Sequence, residues 1–199
     1  SVMQHLYPPI TSPLRVGQSN PRYFEDSNGK AVLLTGSHTW NNLIDMGPGG
    51  GVPFDWSAYL EFLQVHGHNF VRLWAYDALA TWNPVDEVGI LPWQRTGPGL
   101  ALDGRPRLDF RCRDDRYFDR LTDRVSQAQS AGIYVGIMLF DSWSNFLTTE
   151  TPIERHAFAE ANNVNGVDIL RSQASGVHAG WSSMADPTVL EIQETYVRH

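Results

Sequence analysis

The sequence predicts an α/β fold in which parallel strands are joined by helical crossovers. After an N-terminal hairpin, apolar runs alternate three times with amphipathic segments, which is the pattern of βα units in a parallel sheet. Two long connections, residues 77–113 and 141–185, each follow the carboxyl end of a predicted strand, where such folds place binding groups. The 199 residues are therefore interpreted as a single domain or a fragment of one.

The first predicted element is a β-hairpin within residues 13–36, a range that also includes the first strand. Arg22–Glu25 and Ala31–Leu34 flank a turn that contains Asn28-Gly29, and this dipeptide tolerates the positive φ of a tight turn. The turn shares Asp, Asn and Gly with a calcium-binding loop, but the later ligand positions and the closing Glu are missing. No metal is assigned there.

The first βα unit runs from strand 31–37 into a helix at residues 55–66. Apolar residues recur there at i, i+3, i+4 and i+7, with Asp55 as the N-cap and Gly67 as the stop. The second unit runs from strand 68–76 into a helix at 114–131.

The second predicted helix carries a ladder of opposite charges. Arg116, Arg120 and Arg124 lie beside Asp119 and Asp123 at spacings that allow surface ion pairs, so this side is predicted to be a solvated face. The third unit runs from strand 133–140 into a helix that begins at Asp186-Pro187, an N-cap followed by proline.

Composition excludes several function classes. The formal net charge is −7 and the basic residues form no run, which argues against nucleic acid as a partner. No stretch approaches the roughly 18 apolar residues of a membrane span. With a single cysteine, no H-E-x-x-H motif and no P-loop, the sequence predicts neither a metal nor a cofactor.

The tryptophans share one side of the predicted sheet. Six of the seven fall late in a strand or in the connection after one: Trp40, Trp74, Trp82, Trp93, Trp143 and Trp181. A flat indole with one N–H donor suits stacking on a sugar ring while the donor meets a hydroxyl. The alternative is that long connections need large side chains to anchor them.

Polar residues also follow the strands. His38, Asn41 and Asn42 come after the first strand, and they are candidate substrate-binding residues. Arg72 lies at an alternating position inside the second strand, where an inward-facing guanidinium requires a carboxylate partner; the alternative is an outward-facing arginine in a surface salt bridge.

Several segments resemble the amino-terminal half of cellulase-like TIM-barrel glycoside hydrolases, most closely the apiosidase-like group. The resemblance rests on residues 20–43, which include His38-Thr-Trp-Asn-Asn, and on Gly67-His-Asn-Phe-Val-Arg-Leu-Trp. It rests also on Ala131-Gly-Ile-Tyr-Val-Gly-Ile-Met-Leu-Phe and His156-Ala-Phe-Ala-Glu-Ala-Asn-Asn-Val-Asn-Gly. It covers the chain from about residue 13 to the end.

The resemblance implies a (β/α)8 barrel of which this chain holds only the first three βα units, and a retaining hydrolysis by two carboxylates. In that family the acid/base lies in an Asn-Glu pair after strand four and the nucleophile is a Glu after strand seven. No Asn-Glu pair occurs here, so both glutamates are expected beyond His199 and this chain alone is expected to be inactive. Arg72 would hold the nucleophile ionised. The sugar subsites would be formed by Trp40, Asn41, Asn42, Trp74, Tyr76, Asp141 and Trp143.

Three hypotheses follow. The leading one is a secreted glycoside hydrolase in which this chain supplies part of the cleft for an oligo- or polysaccharide. The alternative is a non-catalytic carbohydrate-binding or scaffold protein, and open strand edges could allow self-association in either case. A third hypothesis makes Asp141 and Asp77 the catalytic pair, because both follow strands; the alternative is that each caps a loop or pairs with an arginine.

Overall fold

A computed structural model describes residues 7–79, 87–140, 155–169 and 186–199. These residues form two compact units. Unit 1 consists of the described parts of Ser1–Leu43, Phe54–Trp74 and Arg120–Met138. Unit 2 consists of the described parts of Ile44–Pro53, Ala75–Asp119 and Leu139–His199.

The described elements are short strands and three α-helices. The strands in chain order are β1 (Arg15–Val16), β2 (Phe24–Glu25), β3 (Ala31–Val32), β4 (Gly36–Ser37), β5 (Met46–Gly47), β6 (Phe70–Trp74), β7 (Glu87–Val88), β8 (Trp93–Leu100), β9 (Pro106–Arg113) and β10 (Tyr134–Met138). The α-helices are α1 (Trp56–Val65), α2 (Asp115–Ser130) and α3 (Pro187–Val197). Helix α2 begins in unit 2 and ends in unit 1.

Unit 1 begins with an antiparallel meander of β1, β2 and β3. Phe24 pairs with Val32 across the predicted turn, and the Asp26 carboxylate accepts the backbone N–H groups of Asn28 and Lys30 at 2.8 and 3.0 Å. Gly29 has φ 77°, the conformation that the turn requires. The predicted turn is confirmed.

A three-stranded parallel sheet, in the order β10-β6-β4, forms the centre of unit 1. Val71 and Leu73 of β6 are fully buried, as is Leu63 of α1. Side chains join the helices across this core, since the Trp56 indole donates to the Arg124 carbonyl of α2 at 3.2 Å. Gln64 likewise donates to the carbonyl of Ala131 at 2.9 Å.

Unit 2 is built on the antiparallel hairpin of β8 and β9. Its turn contains Asp103-Gly104, where Gly104 has φ 77°. The rings of Trp93 and Phe110 lie 4.9 Å apart, and Phe158 stacks on Phe110 at 4.5 Å. A second antiparallel pair joins β5 to β7.

The predicted helix starts are confirmed at two positions. Asp55 accepts the N–H of Ala58 at 2.9 Å, and Asp186 accepts those of Thr188 and Val189. None of the described helices combines the length and the apolar character needed to span a bilayer.

The prediction of a TIM-barrel arrangement of sequential βα units is wrong. The described residues form one parallel sheet and three antiparallel sheets, each of two or three strands. Strand 31–37 divides into β3, which pairs in the meander, and β4, which contributes only two residues to the parallel sheet. The connection 77–113 contains antiparallel strands instead of serving only as a crossover loop. Apolar spacing does not specify which partner a strand pairs with, and this is why the sequence pattern failed.

Candidate functional site

Four side chains gather at the carboxyl ends of β4 and β6 in unit 1. We call them the strand-end cluster: His38, Trp40, Arg72 and Trp74. The Trp40 and Trp74 ring centroids lie 4.5 Å apart in an edge-on contact, and the His38 ring stacks on Trp74 at 6.1 Å. Because β4 and β6 are parallel, residues that end or follow them meet at the same edge of the sheet. The structure brings these four side chains together, and their role in substrate binding stays a prediction.

The two tryptophans of the strand-end cluster differ in exposure. Trp40 is 46% exposed, whereas Trp74 is only 7% exposed and serves as the wall against which Trp40 rests. The indole nitrogen of Trp74 is buried and donates to no acceptor among the described residues. The cluster therefore offers a ligand the exposed indole of Trp40, whereas the buried Trp74 N–H is not accessible to a sugar.

Arg72 is exposed, which corresponds to the outward-facing alternative. Its guanidinium carbon lies 5.9 Å from the centroid of the Trp74 ring, within the range of a cation–π contact. No carboxylate in the described parts of the chain forms an ion pair with it.

Asn42, expected in a sugar subsite, is fully buried. Its side-chain nitrogen donates to the Arg72 carbonyl at 2.5 Å, and its oxygen accepts the N–H of Trp74 at 3.1 Å. This amide continues the pairing of β6 where β4 has ended, so Asn42 positions Trp74. Asn41 is half-buried and accepts a hydrogen bond from the Thr39 hydroxyl at 3.1 Å.

Arg124 is the residue that sequence reasoning missed. The prediction that it lies on a solvated face of α2 is wrong, because Arg124 is only 6% exposed. Its guanidinium carbon lies 5.8 Å from the Phe54 ring and 5.6 Å from the Trp56 ring, and it donates to the carbonyl of Asn42. The sequence does contain a signal for this contact. Phe54 and Trp56, just before and at the start of α1, offer a guanidinium two ring faces. Arg124 therefore supports the residue that positions Trp74.

The other candidate residues described lie in unit 2 and are buried. Tyr76 and Asp77 are each 3% exposed, and His156 is fully buried. His156 Nε2 lies 3.3 Å from Asp77 Oδ1, while His156 Nδ1 accepts the N–H of Phe158 at 3.1 Å. Nε2 is therefore the ring nitrogen that lies near the Asp77 carboxylate. The catalytic role of Asp77 stays a prediction.

Two tyrosines lie near this buried carboxylate. The hydroxyls of Tyr117 and Tyr196 are 2.9 Å apart. Burial, followed by the Tyr196 hydroxyl and the charge of Asp77, raises the pKa of Tyr117 well above its usual value. Burial also raises the pKa of Tyr196, although its hydrogen bond with Tyr117 acts in the opposite direction. Both phenols therefore stay neutral through the physiological range.

Residues 155–169, which contain a motif of the family resemblance, form a loop held by side-chain amides. We call Asn162, Asn163 and Asn165 the amide clamp. Asn163 is 1% exposed, donates to three backbone carbonyls and accepts two backbone N–H groups. Asn162 accepts the N–H of Leu102 at 2.9 Å. These amides fasten the loop on the β8–β9 hairpin.

The third clamp amide also fixes a charge. Asn165 donates to the Asp109 carboxylate and accepts the N–H of Phe110, both at 2.9 Å. Burial of Asp109 favours a higher pKa, but the hydrogen bonds from Asn165 and Arg111 outweigh it and lower the pKa to about 2. Asp109 is therefore ionised at neutral pH.

Unit 2 also contains a cleft of about 480 Å³. Its walls include the rings of Trp93, Phe110 and Tyr196, together with Arg113 and Glu191. Aromatic rings and charges of both signs line this cleft, so its chemistry selects no single class of ligand.

The described residues contain no group of three or more His, Cys, Asp or Glu side chains that could hold a metal ion. Asp141 and Trp143 lie outside the described residues. No protein-family model, curated protein or solved structure matches the chain. The candidate site therefore rests on the geometry of the strand-end cluster.

Proposed function

We propose that this protein binds carbohydrate through the strand-end cluster, as the sugar-binding part of a glycoside hydrolase. The observation that carries the proposal is Trp40, whose indole is 46% exposed and rests edge-on against Trp74. A fixed indole binds the C–H face of a sugar without ordering a flexible side chain. The family resemblance, which includes His38-Thr-Trp-Asn-Asn, supports the hydrolase part.

A second candidate function is carbohydrate binding without hydrolysis. It is favoured by the composition of the strand-end cluster, which is aromatic and basic and contains no carboxylate among the described residues. Glycoside hydrolysis requires two carboxyl groups beside the scissile bond. Asp77 is 3% exposed and lies in unit 2. The two candidates share one binding surface and differ only in catalysis.

Binding is tested with Trp40→Ala and a matched control, Tyr23→Ala, which removes a ring that is 56% exposed in the same unit. Isothermal titration with cellohexaose, xylohexaose and β-1,4-galactohexaose gives the affinities. We expect Trp40→Ala to weaken binding at least about ten-fold, roughly 1.4 kcal/mol, because it removes the stacking surface. Tyr23→Ala should bind as the unaltered protein does. Equal affinities for Trp40→Ala and the unaltered protein would refute the proposed site.

Hydrolysis is tested by measuring the reducing ends released from the same hexasaccharides. Release that Trp40→Ala lowers and Tyr23→Ala leaves unchanged would support a hydrolase. Binding that depends on Trp40 without release would support the non-catalytic candidate.

A further inference from the structure

We infer that the strand-end cluster selects an acidic saccharide, one that carries a carboxylate beside the ring stacked on Trp40. This inference rests on the proposed function and names the class of ligand. The residue that carries it is Arg72, which sugar stacking alone does not use.

The surroundings of Arg72 differ from those of four other arginines. Ion pairs with aspartates are formed by Arg95, Arg111, Arg113 and Arg116. Arg72 is exposed and forms no such pair in the parts of the chain that the structure describes. Its guanidinium can therefore bind an external carboxylate, in place of the nucleophile that the family resemblance assigned to it.

The position of Arg72 gives that anion a location. Its guanidinium lies 5.9 Å from the Trp74 ring, which in turn contacts Trp40. A guanidinium presents parallel N–H donors that match a carboxylate in bidentate geometry. A sugar with a carboxylate can therefore stack and form an ion pair at the same site.

A neutral sugar would gain only part of this interaction. Its hydroxyls accept single hydrogen bonds from a guanidinium, and these are weaker than charge-assisted pairs. Binding of an acidic sugar should also weaken as salt concentration rises, since an exposed ion pair is screened.

Three probes with one backbone test the inference: cellotetraose, the β-1,4-linked glucuronate tetramer and 6-sulfated cellotetraose. The variants are Arg72→Gln, Arg72→Lys and the control Arg22→Gln, which removes another exposed arginine of unit 1. We expect the glucuronate tetramer to bind at least about ten-fold more tightly than cellotetraose. Arg72→Gln should abolish this preference, Arg72→Lys should retain part of it, and Arg22→Gln should retain all of it.

The sulfated probe distinguishes the two sources of negative charge. Weaker binding of the sulfated probe than of the glucuronate tetramer supports a carboxylate, whereas equal binding overturns the choice of carboxylate over sulfate. Trp40-dependent binding of cellotetraose with equal affinity for all probes overturns the inference and leaves the proposed function standing. A preference that survives Arg72→Gln also overturns it. Absence of binding to every probe overturns both proposals.

Discussion

The strand-end cluster and the amide clamp use polar and aromatic residues in opposite ways. In the clamp, Asn163 makes five hydrogen bonds to the backbone and is 1% exposed, so its amide serves the fold. In the cluster, Trp40 and Arg72 keep exposed surface that a ligand can contact. The Asn163 amide is therefore fully used by hydrogen bonds within the fold, whereas the side chains of Trp40 and Arg72 stay accessible to a ligand. Both regions contain motifs on which the family resemblance rests.

The largest expected effect of this difference is on stability in the clamp. Asn163→Ala should lower the free energy of unfolding by about 3 kcal/mol or more, because five backbone groups lose a partner in a buried site. Urea unfolding followed by tryptophan fluorescence measures this. The half-buried Asn41→Ala is the control and should cost below about 0.5 kcal/mol. Similar losses for the two variants would contradict the comparison.

Arg124 tests whether the strand-end cluster depends on a buried polar side chain that binds Asn42. Arg124→Met should cost about 2 to 3 kcal/mol, since it removes the cation from Phe54 and Trp56 and the hydrogen bond to Asn42. Arg116→Met, at an 81% exposed side chain on the same helix, should cost below about 1 kcal/mol. Thermal unfolding of both variants provides the check, and a larger loss at Arg116 would refute the role of Arg124.

The smallest expected effect is the loss of unfolding free energy at acid pH, through the Asp109 carboxylate that the clamp binds. The Asp109 pKa falls from 3.8 to about 2 on folding, so its stabilisation is complete well above pH 3.8 and is lost as pH falls through about 2. We expect a loss of about 1 to 2 kcal/mol across this window. Asn165→Ala should reduce the loss, because it removes a hydrogen bond to the carboxylate. Urea midpoints between pH 2 and 6 measure it, and identical pH profiles for the two proteins would exclude Asn165 as the cause.

Local features were predictable because their partners lie close in sequence. The caps at Asp55 and Asp186 bind N–H groups two or three residues away, and the turn at Asn28-Gly29 closes on Asp26. Asp103-Gly104 is a strong turn signal that indicates the β8–β9 hairpin, although residues 77–113 were predicted as a connection. The prediction of a barrel was wrong because strand pairing depends on segments that lie far apart in the chain.

The sequence by itself determined the helix starts, the turn of the first hairpin and the aromatic residues that end the strands. Tertiary structure decided which polar side chains form hydrogen bonds within the fold. The Asn42 amide binds the backbone of a residue 30 positions away, and Arg124 binds Asn42 across 82 positions. Hydrogen bonds over such separations depend on how the chain packs, and residue spacing does not encode them. Asn42 and Arg124 are therefore buried and help to position Trp74, whereas Trp40 and Arg72 stay exposed.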